Sequence, residues 1–235
     1  MKVHYDFHIH SCLSPCGDDD MTPNNIVNMS LIKGLDVIAI TDHNTMKNCP
    51  SAVAVGEEVG LLVIPGMEIQ TREDVHVVVL FPSVAIAASF ELQIDAHRLM
   101  LPHKPDKFGR QLIMSTEDEI IEEYPVTLLA SVDIGVDQIL DMAIACGGVA
   151  FPAHINKHAN SVLDNLGFIP EGWPIGAVEI FQPDKNEALL QTYTDRYKIL
   201  TNSDAHYLQD ISEPVNVIEI PELTIDEIIK YLRKT

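Results

Sequence analysis

The sequence has few basic residues. In 235 residues, 15 Lys and Arg stand against 35 Asp and Glu, which gives a formal net charge of −20. Such a chain is repelled by DNA, RNA and anionic membranes unless its basic residues cluster. The densest basic stretch, residues 104–110, holds only Lys104, Lys107 and Arg110. We therefore expect neither long nucleic acid nor a membrane surface as a partner.

Long apolar runs and cysteines are also scarce. No apolar run approaches the roughly 20 residues that a membrane-spanning helix needs. Residues 1–6 lack the apolar segment of a secretory signal, and His8 and His10 follow too soon for one. We therefore expect a cytoplasmic protein, in which the four cysteines do not form a disulfide framework.

Short apolar runs alternate with helical stretches along the chain. Runs that are apolar throughout are typical of strands covered on both faces, as in a parallel sheet. The alternation predicts an α/β fold, and seven or eight strand–helix units in a single domain over residues 1–235 favour a (β/α) barrel. The expected strands are residues 3–7, 37–40, 61–64, 76–81, 126–129, 149–151, 177–181, 199–201 and 215–218.

Several helices carry end signals. Thr22 and Pro23 supply a capping hydroxyl and a first-turn proline for a helix at residues 24–33. Further helices are expected at residues 136–145, at residues 224–232 and after a capping box at residues 116–119.

One region interrupts the alternation of strands and helices. Residues 82–124 are the least regular part of the chain, and residues 102–109 within them read as an excursion. In a (β/α) barrel, chemistry takes place where strands end and the following loops begin. We therefore place this excursion near the mouth of the site.

His8 and His10 are the first candidate metal ligands. They stand at positions i and i+2 of an expected strand, so both side chains point to one side and can reach the same ion. His76 begins its apolar run, so it reaches the site only if that strand is short, tilted or reversed. Other candidates follow later apolar runs: His43, Glu68, His154, Asp204 and His206.

This set of ligands is too large for one ion, because a zinc ion takes about four. Imidazole and carboxylate donors suit two or three Zn, Mn or Fe ions better than Mg or Ca. The sequence has no Gly-rich phosphate loop and no Gly-x-Ser-x-Gly motif. Clustered divalent ions acidify a bound water and clamp a phosphoryl group, which predicts phosphoester hydrolysis by a metal-bridged hydroxide.

The ordered motifs resemble the polymerase and histidinol phosphatase (PHP) metallohydrolases. They comprise His-x-His, a later Asp-His, a Glu, an isolated His on a strand, Pro-Ala-His and Asp-x-His, from residue 5 to about residue 206. The resemblance implies a distorted seven-stranded (β/α) TIM-like barrel that holds up to three metals at the C-terminal ends of its strands.

The resemblance also implies which residues hold the first two metals. Glu68 would bridge them. The remaining ligands would be His8, His10 and Asp204 for the first metal, and His76 and His154 for the second.

One ligand of the third metal remains to be assigned. The resemblance gives it His43 and His206, and the family usually draws one more ligand from the loop after His-x-His. In this loop Cys16 falls at about the right place, and Asp18 is the alternative. A thiolate would favour zinc or iron over manganese.

A phosphate substrate needs a cation besides the metals. Lys157 follows His154 by three residues, where relatives often place Arg. Arg72, between Glu68 and His76, is a second candidate, and Arg110 is a third. An arginine binds phosphate bidentately, whereas a lysine acts as a point charge.

Two further roles follow from the chemistry. His206 or His43 could protonate the leaving oxygen if it is not fully occupied as a ligand. Metal-bound histidines usually donate their second ring N–H to an acceptor, and Asp6 and Asp42 are candidates for that role.

Three functions compete. The first is a metal-dependent phosphoesterase acting on a small phosphorylated substrate. The second is an exonuclease or proofreading module, against which the net charge argues. The third is a non-catalytic metal-binding or structural module. The sequence predicts neither the substrate nor the oligomeric state.

Overall fold

A six-stranded mixed sheet, curled into a half-barrel, forms the centre of the computed structural model, which describes residues 1–233. The strands are β1 (Lys2–Ile9), β2 (Val37–Ile40), β3 (Leu62–Gln70), β4 (His76–Leu80), β5 (Leu112–Met114), β6 (Ile120–Glu123), β7 (Val149–Pro152), β8 (Ala177–Glu179), β9 (Lys198–Leu200) and β10 (Val217–Glu219).

In the part of the chain that the structure describes, eight α-helices accompany these strands. They are α1 (Pro23–Lys33), α2 (Cys49–Val59), α3 (Val84–Asp95), α4 (Pro105–Phe108), α5 (Val136–Ala145), α6 (Val162–Asn165), α7 (Glu187–Tyr193) and α8 (Ile225–Leu232). Within residues 1–233, no helix combines the length and the apolar character needed to cross a membrane.

The central sheet has the strand order β10-β1-β2-β3-β4-β7. Strands β1, β2 and β3 are parallel, whereas β4 runs antiparallel to both β3 and β7. In the β3–β4 register, Gln70 pairs with His76. The reversal of β4 therefore brings its first residue to the edge where β1, β2 and β3 end.

The mixed α/β class is confirmed, but the seven-stranded barrel is not. The hydrogen-bonded sheet stops at β7, and β8 and β9 form a separate parallel pair of three residues each. One backbone bond, from Ile155 N–H to Glu179 O at 2.9 Å, links this pair to the segment after β7. Side chains add further links: Glu179 accepts from the backbone N–H of His154 at 2.9 Å, and Asn202 accepts from that of Phe7 at 2.9 Å. Such short strands offer few backbone groups for a continuous ladder.

Residues 126–129 are the exception among the expected strands. Within them only Val126 forms an isolated bridge. The side chain of Asn44 donates to the carbonyl of Leu128, and Gln111 accepts from the Leu128 N–H. The carbonyl and the N–H of Leu128 are thus hydrogen-bonded to side chains and are not available to a neighbouring strand.

The capping box expected at residues 116–119 is wrong. These residues form the turn between β5 and β6. The hydroxyl of Ser115 accepts from the N–H groups of Glu117 and Glu119, and Asp118 has a φ of 60°. A turn residue with positive φ ends the strand here and prevents a helix from starting.

The end signal of α1 is confirmed, and the helix expected at residues 224–232 is α8. The hydroxyl of Thr22 accepts from Asn25 N–H at the start of α1, and Thr224 accepts from Glu227 N–H at the start of α8. The helix expected at residues 136–145 coincides with α5.

Two apolar clusters cover the two faces of the sheet. Alternate residues of β2 serve different clusters: Val37 and Ala39 pack into one, and Ile38 and Ile40 into the other. This double burial explains why β2 is apolar throughout. Helix α8 covers one face, whereas α1, α2, α3 and α5 cover the other.

Candidate metal centre

The proposed ligands converge at one edge of the sheet. Two isolated parallel bridges bring distant loops there: His43 pairs with Glu68, and Ile9 pairs with Ala205. The second bridge places the Asp204–His206 loop beside the end of β1. The reversed direction of β4 brings His76 to the same edge.

Glu68 lies at the middle of this cluster and is fully buried. Its Oε1 is 2.8 Å from His76 Nδ1, 3.1 Å from His154 Nε2 and 3.2 Å from His8 Nε2. Its Oε2 is 2.9 Å from His43 Nδ1. Donor atoms bonded to one metal at about 2.0–2.2 Å lie roughly 3 Å apart. The spacing around Glu68 therefore suits a bridging carboxylate.

Asp204 meets the histidine pair of β1. The Nε2 atoms of His8 and His10 are 3.2 Å apart, and Asp204 Oδ1 lies 3.4 and 3.1 Å from them. The ammonium of Lys157 makes a short ion pair with the second oxygen of Asp204. Three possible ligand atoms and one cation therefore meet at this point.

A second group of possible ligand atoms consists of the rings of His10, His43 and His206. The Sγ of Cys16 is 3.1 Å from Nε2 of His206. Asp18, the alternative ligand, is also close in the chain, but its carboxylate accepts from the backbone N–H of Asp20. The structure thus brings Cys16 to the histidines.

Several buried atoms of the cluster lack a hydrogen-bond partner, and this tests whether the residues fit a metal. They are His43 Nδ1, Glu68 Oε2, His76 Nε2 and His154 Nδ1. Nδ1 of His43 and Oε2 of Glu68 approach to 2.9 Å without hydrogen-bond geometry. Buried polar atoms without partners are costly, and divalent ions would satisfy them. The residues therefore fit a metal centre.

The histidines of the cluster favour the ionised form of its carboxylates. Burial would raise the pKa of Glu68, but His76, His8 and His43 outweigh it and hold that pKa well below its usual range. The pKa of Asp204 is likewise lowered against burial, chiefly by His8.

The histidines fall into two groups by pKa. Burial lowers the pKa of His10 and His43, but neighbouring carboxylates outweigh it and raise both to about 9. The pKa of His8 is raised well above 6.5, against burial, by Glu179 in first place. Burial lowers the pKa of His76 to about 4, and burial with His10 lowers that of His206 to about 3.

Glu179 is a site residue that the sequence did not reveal. Its buried carboxylate lies 3.0 Å from His8 Nδ1, and it also accepts from His154 N–H and from the Asn202 side chain. An acidic residue inside the apolar run 177–181 was the available signal, because buried acids are rare unless paired.

Asp42 supports the second histidine through Ser14. Its carboxylate accepts from the hydroxyls of Ser11 and Ser14, each at 2.6 Å, and Ser14 Oγ lies 3.0 Å from His10 Nδ1. Asp6 does not reach a histidine ring. It accepts instead from the backbone N–H of Ser203 at 3.1 Å.

Two of the proposed ligands have strained backbones. His154 has a φ of 26° and Asp204 a φ of 52°. Such conformations cost about 1–3 kcal/mol each and cluster at functional sites.

An open cavity of about 440 Å³ leads to the cluster. Lys157 lines it and lies over the ring of Phe181, at 4.8 Å from the ring centre. Arg72 does not line it: its guanidinium pairs with Asp133. Arg110 pairs with Asp19 and Glu123. The residues around the cavity are His43, Glu68, His76, His154, Lys157, His158, Ala159, Asn160, Phe181, Asp204 and His206.

Known proteins with this fold carry out nucleic-acid chemistry among other reactions. Over 99% of its length the chain matches the lesion-specific endonuclease PfuEndoQ from Pyrococcus furiosus, with a TM-score of 0.69 and 20% identity, and it covers 56% of that chain. An amidohydrolase from Chromobacterium violaceum matches 94% of the chain with a TM-score of 0.58 and 16% identity, and 93% of that protein is covered. Identities this low show the fold alone.

One relative has a higher sequence identity, but the match covers only part of either chain. A 5′-3′ exoribonuclease from Haemophilus influenzae is 34% identical over 81 residues, which is 33% of this chain and 28% of that protein. The chain thus spans little more than a quarter of this relative and about half of PfuEndoQ. The PHP domain profile matches residues 6–167, most of the chain. These matches are consistent with a hydrolase that acts on phosphoester bonds, and the chain belongs to the PHP domain family.

Proposed function

We propose that the protein is a metal-dependent phosphoesterase that hydrolyses a small phosphate ester. The observation that carries the proposal is the convergence of buried, unpartnered histidine and carboxylate atoms at the end of one cavity. We assign His8, His10, Glu68, His76, His154 and Asp204 as ligands of two divalent transition ions, and His43 and His206 as ligands of a third.

The cavity needs these ions to attract a phosphate. Glu68 and Asp204 are anionic, and Lys157 is already paired with Asp204. When bound, divalent ions supply the positive charge for the phosphoryl oxygens and lower the pKa of a coordinated water. Zn, Mn and Fe suit this set of nitrogen and oxygen donors.

Lys157 is the residue that we assign to substrate binding. Its side chain is about one-third exposed and borders the cavity beside Phe181. Movement of its ammonium from Asp204 to a phosphoryl oxygen would leave that carboxylate free as a ligand. Arg72 was the second candidate for this role. Its guanidinium pairs with Asp133 and does not border the cavity, so the structure does not support that assignment.

When the third position holds no metal, His43 is better suited than His206 to donate a proton to the leaving oxygen. Its pKa is raised to about 9, so it holds a proton at pH 7. The pKa of His206 is lowered to about 3, so its ring is neutral and suited to ligation.

Nucleic acid is the second candidate substrate, because two relatives are described as nucleases. The net charge of −20 disfavours a long strand, but a terminal phosphate or a short oligonucleotide needs little contact outside the cavity. We therefore rank a small ester or nucleotide first and the end of a nucleic acid second.

The test is turnover by chelated protein reloaded with Mn, Zn or Fe, on p-nitrophenyl phosphate, nucleoside monophosphates and 5′-phosphorylated oligonucleotides. His8→Ala should abolish turnover while the circular dichroism spectrum remains native. His97→Ala, which replaces an exposed histidine, is the matched control.

The outcome separates the alternatives. No turnover by protein with verified metal content would refute the enzymatic proposal. If His8→Ala chiefly lowers the melting temperature of a protein that never turns over, a structural role for the metal is the better explanation.

A further inference from the structure

Cys16 is exposed and stands beside a group of three histidines. Its thiol lies 3.1 Å from His206 Nε2 and also contacts the ring of His43. The ring nitrogens of His10, His43 and His206 come within 4.8 Å of one another. His43 Nδ1 is buried and lacks a hydrogen-bond partner.

From this juxtaposition we propose that Cys16 is a thiolate ligand of the third position of the centre, and that it makes this position selective for thiophilic ions such as Zn²⁺ over Mn²⁺. The inference rests on the proposed function, because it concerns the same centre. Thiolates favour zinc, whereas oxygen donors suit manganese.

The loop after His10 fixes the position of the thiol. Ser14 N–H donates to Ser11 O at 3.0 Å, and Gly17 N–H donates to Ser14 O at 2.8 Å. A Cβ at position 17 would lie 2.6 Å from Ser11 O, so only glycine fits this turn. Asp18 N–H then donates to His206 O at 2.9 Å. Backbone contacts on both sides of Cys16 thus hold it against His206.

Other residues are poorer candidates for this position. The carboxylate of Asp18 closes the turn to Asp20. Cys12 and Cys49 are buried and point to backbone carbonyls. Cys146 lies at the end of α5 and contacts Ala143 O. Cys16 is therefore the exposed cysteine of the four, and the one beside the histidines.

The distance also suits shared ligation. Bonds of about 2.3 Å to sulfur and 2.0–2.1 Å to nitrogen place two ligands of one zinc ion roughly 3–4 Å apart. On binding, the Sγ–H bond breaks, a sulfur–metal bond forms, and the proton passes to the buffer. No oxidant or reductant is required.

The test is a titration of metal-free, full-length protein with Co²⁺, followed by absorption. We expect visible ligand-field bands together with a near-ultraviolet thiolate-to-cobalt band. Cys16→Ser should lose the near-ultraviolet band and keep the visible bands. Cys146→Ser and Asp18→Asn should keep both.

Each result is decisive. Visible bands without a near-ultraviolet band in the wild type, or a near-ultraviolet band that survives in Cys16→Ser, would overturn the role of Cys16 alone. If no cobalt bands form at all, the metal centre and hence the proposed function fail.

Selectivity provides an independent measurement. Cys16→Asp replaces the thiolate by an oxygen donor at an exposed position. The ratio of Zn²⁺ to Mn²⁺ affinities, from chelator competition, should fall by about tenfold or more, since even indirect changes near a metal cost that much. An unchanged ratio would contradict the inference.

Discussion

The carboxylate of Glu179 lies 3.0 Å from Nδ1 of His8, and the other ring nitrogen of His8 faces Glu68 at 3.2 Å. Glu179 comes from β8 and His8 from β1, two strands that are not paired with each other in a sheet. This contact fixes the direction in which His8 presents Nε2. We therefore infer that Glu179 positions His8.

Glu179→Gln should weaken metal binding. The amide retains one acceptor but loses the charge that strengthens the hydrogen bond from His8, so we expect affinity to fall about 10- to 100-fold. Chelator competition with Zn²⁺ measures this effect. Glu171→Gln, at a side chain that is 91% exposed, is the control and should bind as the wild type does. Equal affinities for both variants would rule out a positioning role.

Bound metal should stabilise the fold. An ion that binds only the native state at 100 times its Kd adds about 2.7 kcal/mol, which raises the melting temperature of a chain this size by roughly 5–10 °C. Scanning calorimetry with and without Zn²⁺ measures the shift. Ca²⁺, which prefers all-oxygen sites, is the control. A Zn²⁺ shift that persists in Glu68→Gln would argue against Glu68 as the shared ligand.

Metal affinity should rise with pH. In the metal-free protein the pKa values of His10 and His43 are about 9, so metal binding at pH 7 must displace their protons. The affinity should increase from pH 7 and level off above about pH 9. Calorimetry in buffers of different ionisation enthalpy should detect the released protons. An affinity that is flat over this range would contradict the assignment.

The free energy of unfolding of the metal-free protein should fall as the pH rises. The folded pKa values of His10 and His43 lie above the ordinary value of 6.5, so their carboxylate pairing stabilises the fold fully below that pH. This contribution should be lost as the pH rises through about 9. Urea midpoints of chelated protein at pH 6 and pH 9.5 test this, and a higher midpoint at pH 9.5 would oppose it.

Gly109 should tolerate substitution less well than Gly60. Both have positive φ, 91° and 82°, but a Cβ at position 109 would lie 2.0 Å from Pro15 O, whereas position 60 is open. Gly60→Ala should cost about 1–2 kcal/mol from the left-handed conformation alone. Gly109→Ala should cost more, because backbone must move. Urea unfolding of both variants decides this, and equal losses would show that the contact with Pro15 does not matter.

Local patterns predicted much of the candidate site. The i, i+2 spacing of His8 and His10 sets their common direction, and Glu68 follows an apolar run in β3. Strand β4 is reversed relative to β3, and this direction brings His76 to the site. A strand's direction depends on its partners, so the residues of β4 alone could not specify it.

Contacts between residues that are far apart in the chain could not be predicted from the sequence. The partner of Arg72 is Asp133, 61 positions away, and the pairing leaves Arg72 outside the cavity. Glu179 meets His8 across 171 positions. The division of the expected barrel into a six-stranded sheet and a separate β8–β9 pair likewise depends on backbone pairing, which apolar patterns do not encode.

The separation of Cys16 and His206 along the chain, 190 residues, has a consequence for assembly. The two ends of the half-barrel must meet before the centre exists, since β1 and the loop after β9 each supply part of it. A partly folded chain therefore contains some of the histidines but not the complete set of metal ligands. A metal ion would therefore bind tightly only after the loop after β9 has packed against β1, and its binding would stabilise that final arrangement.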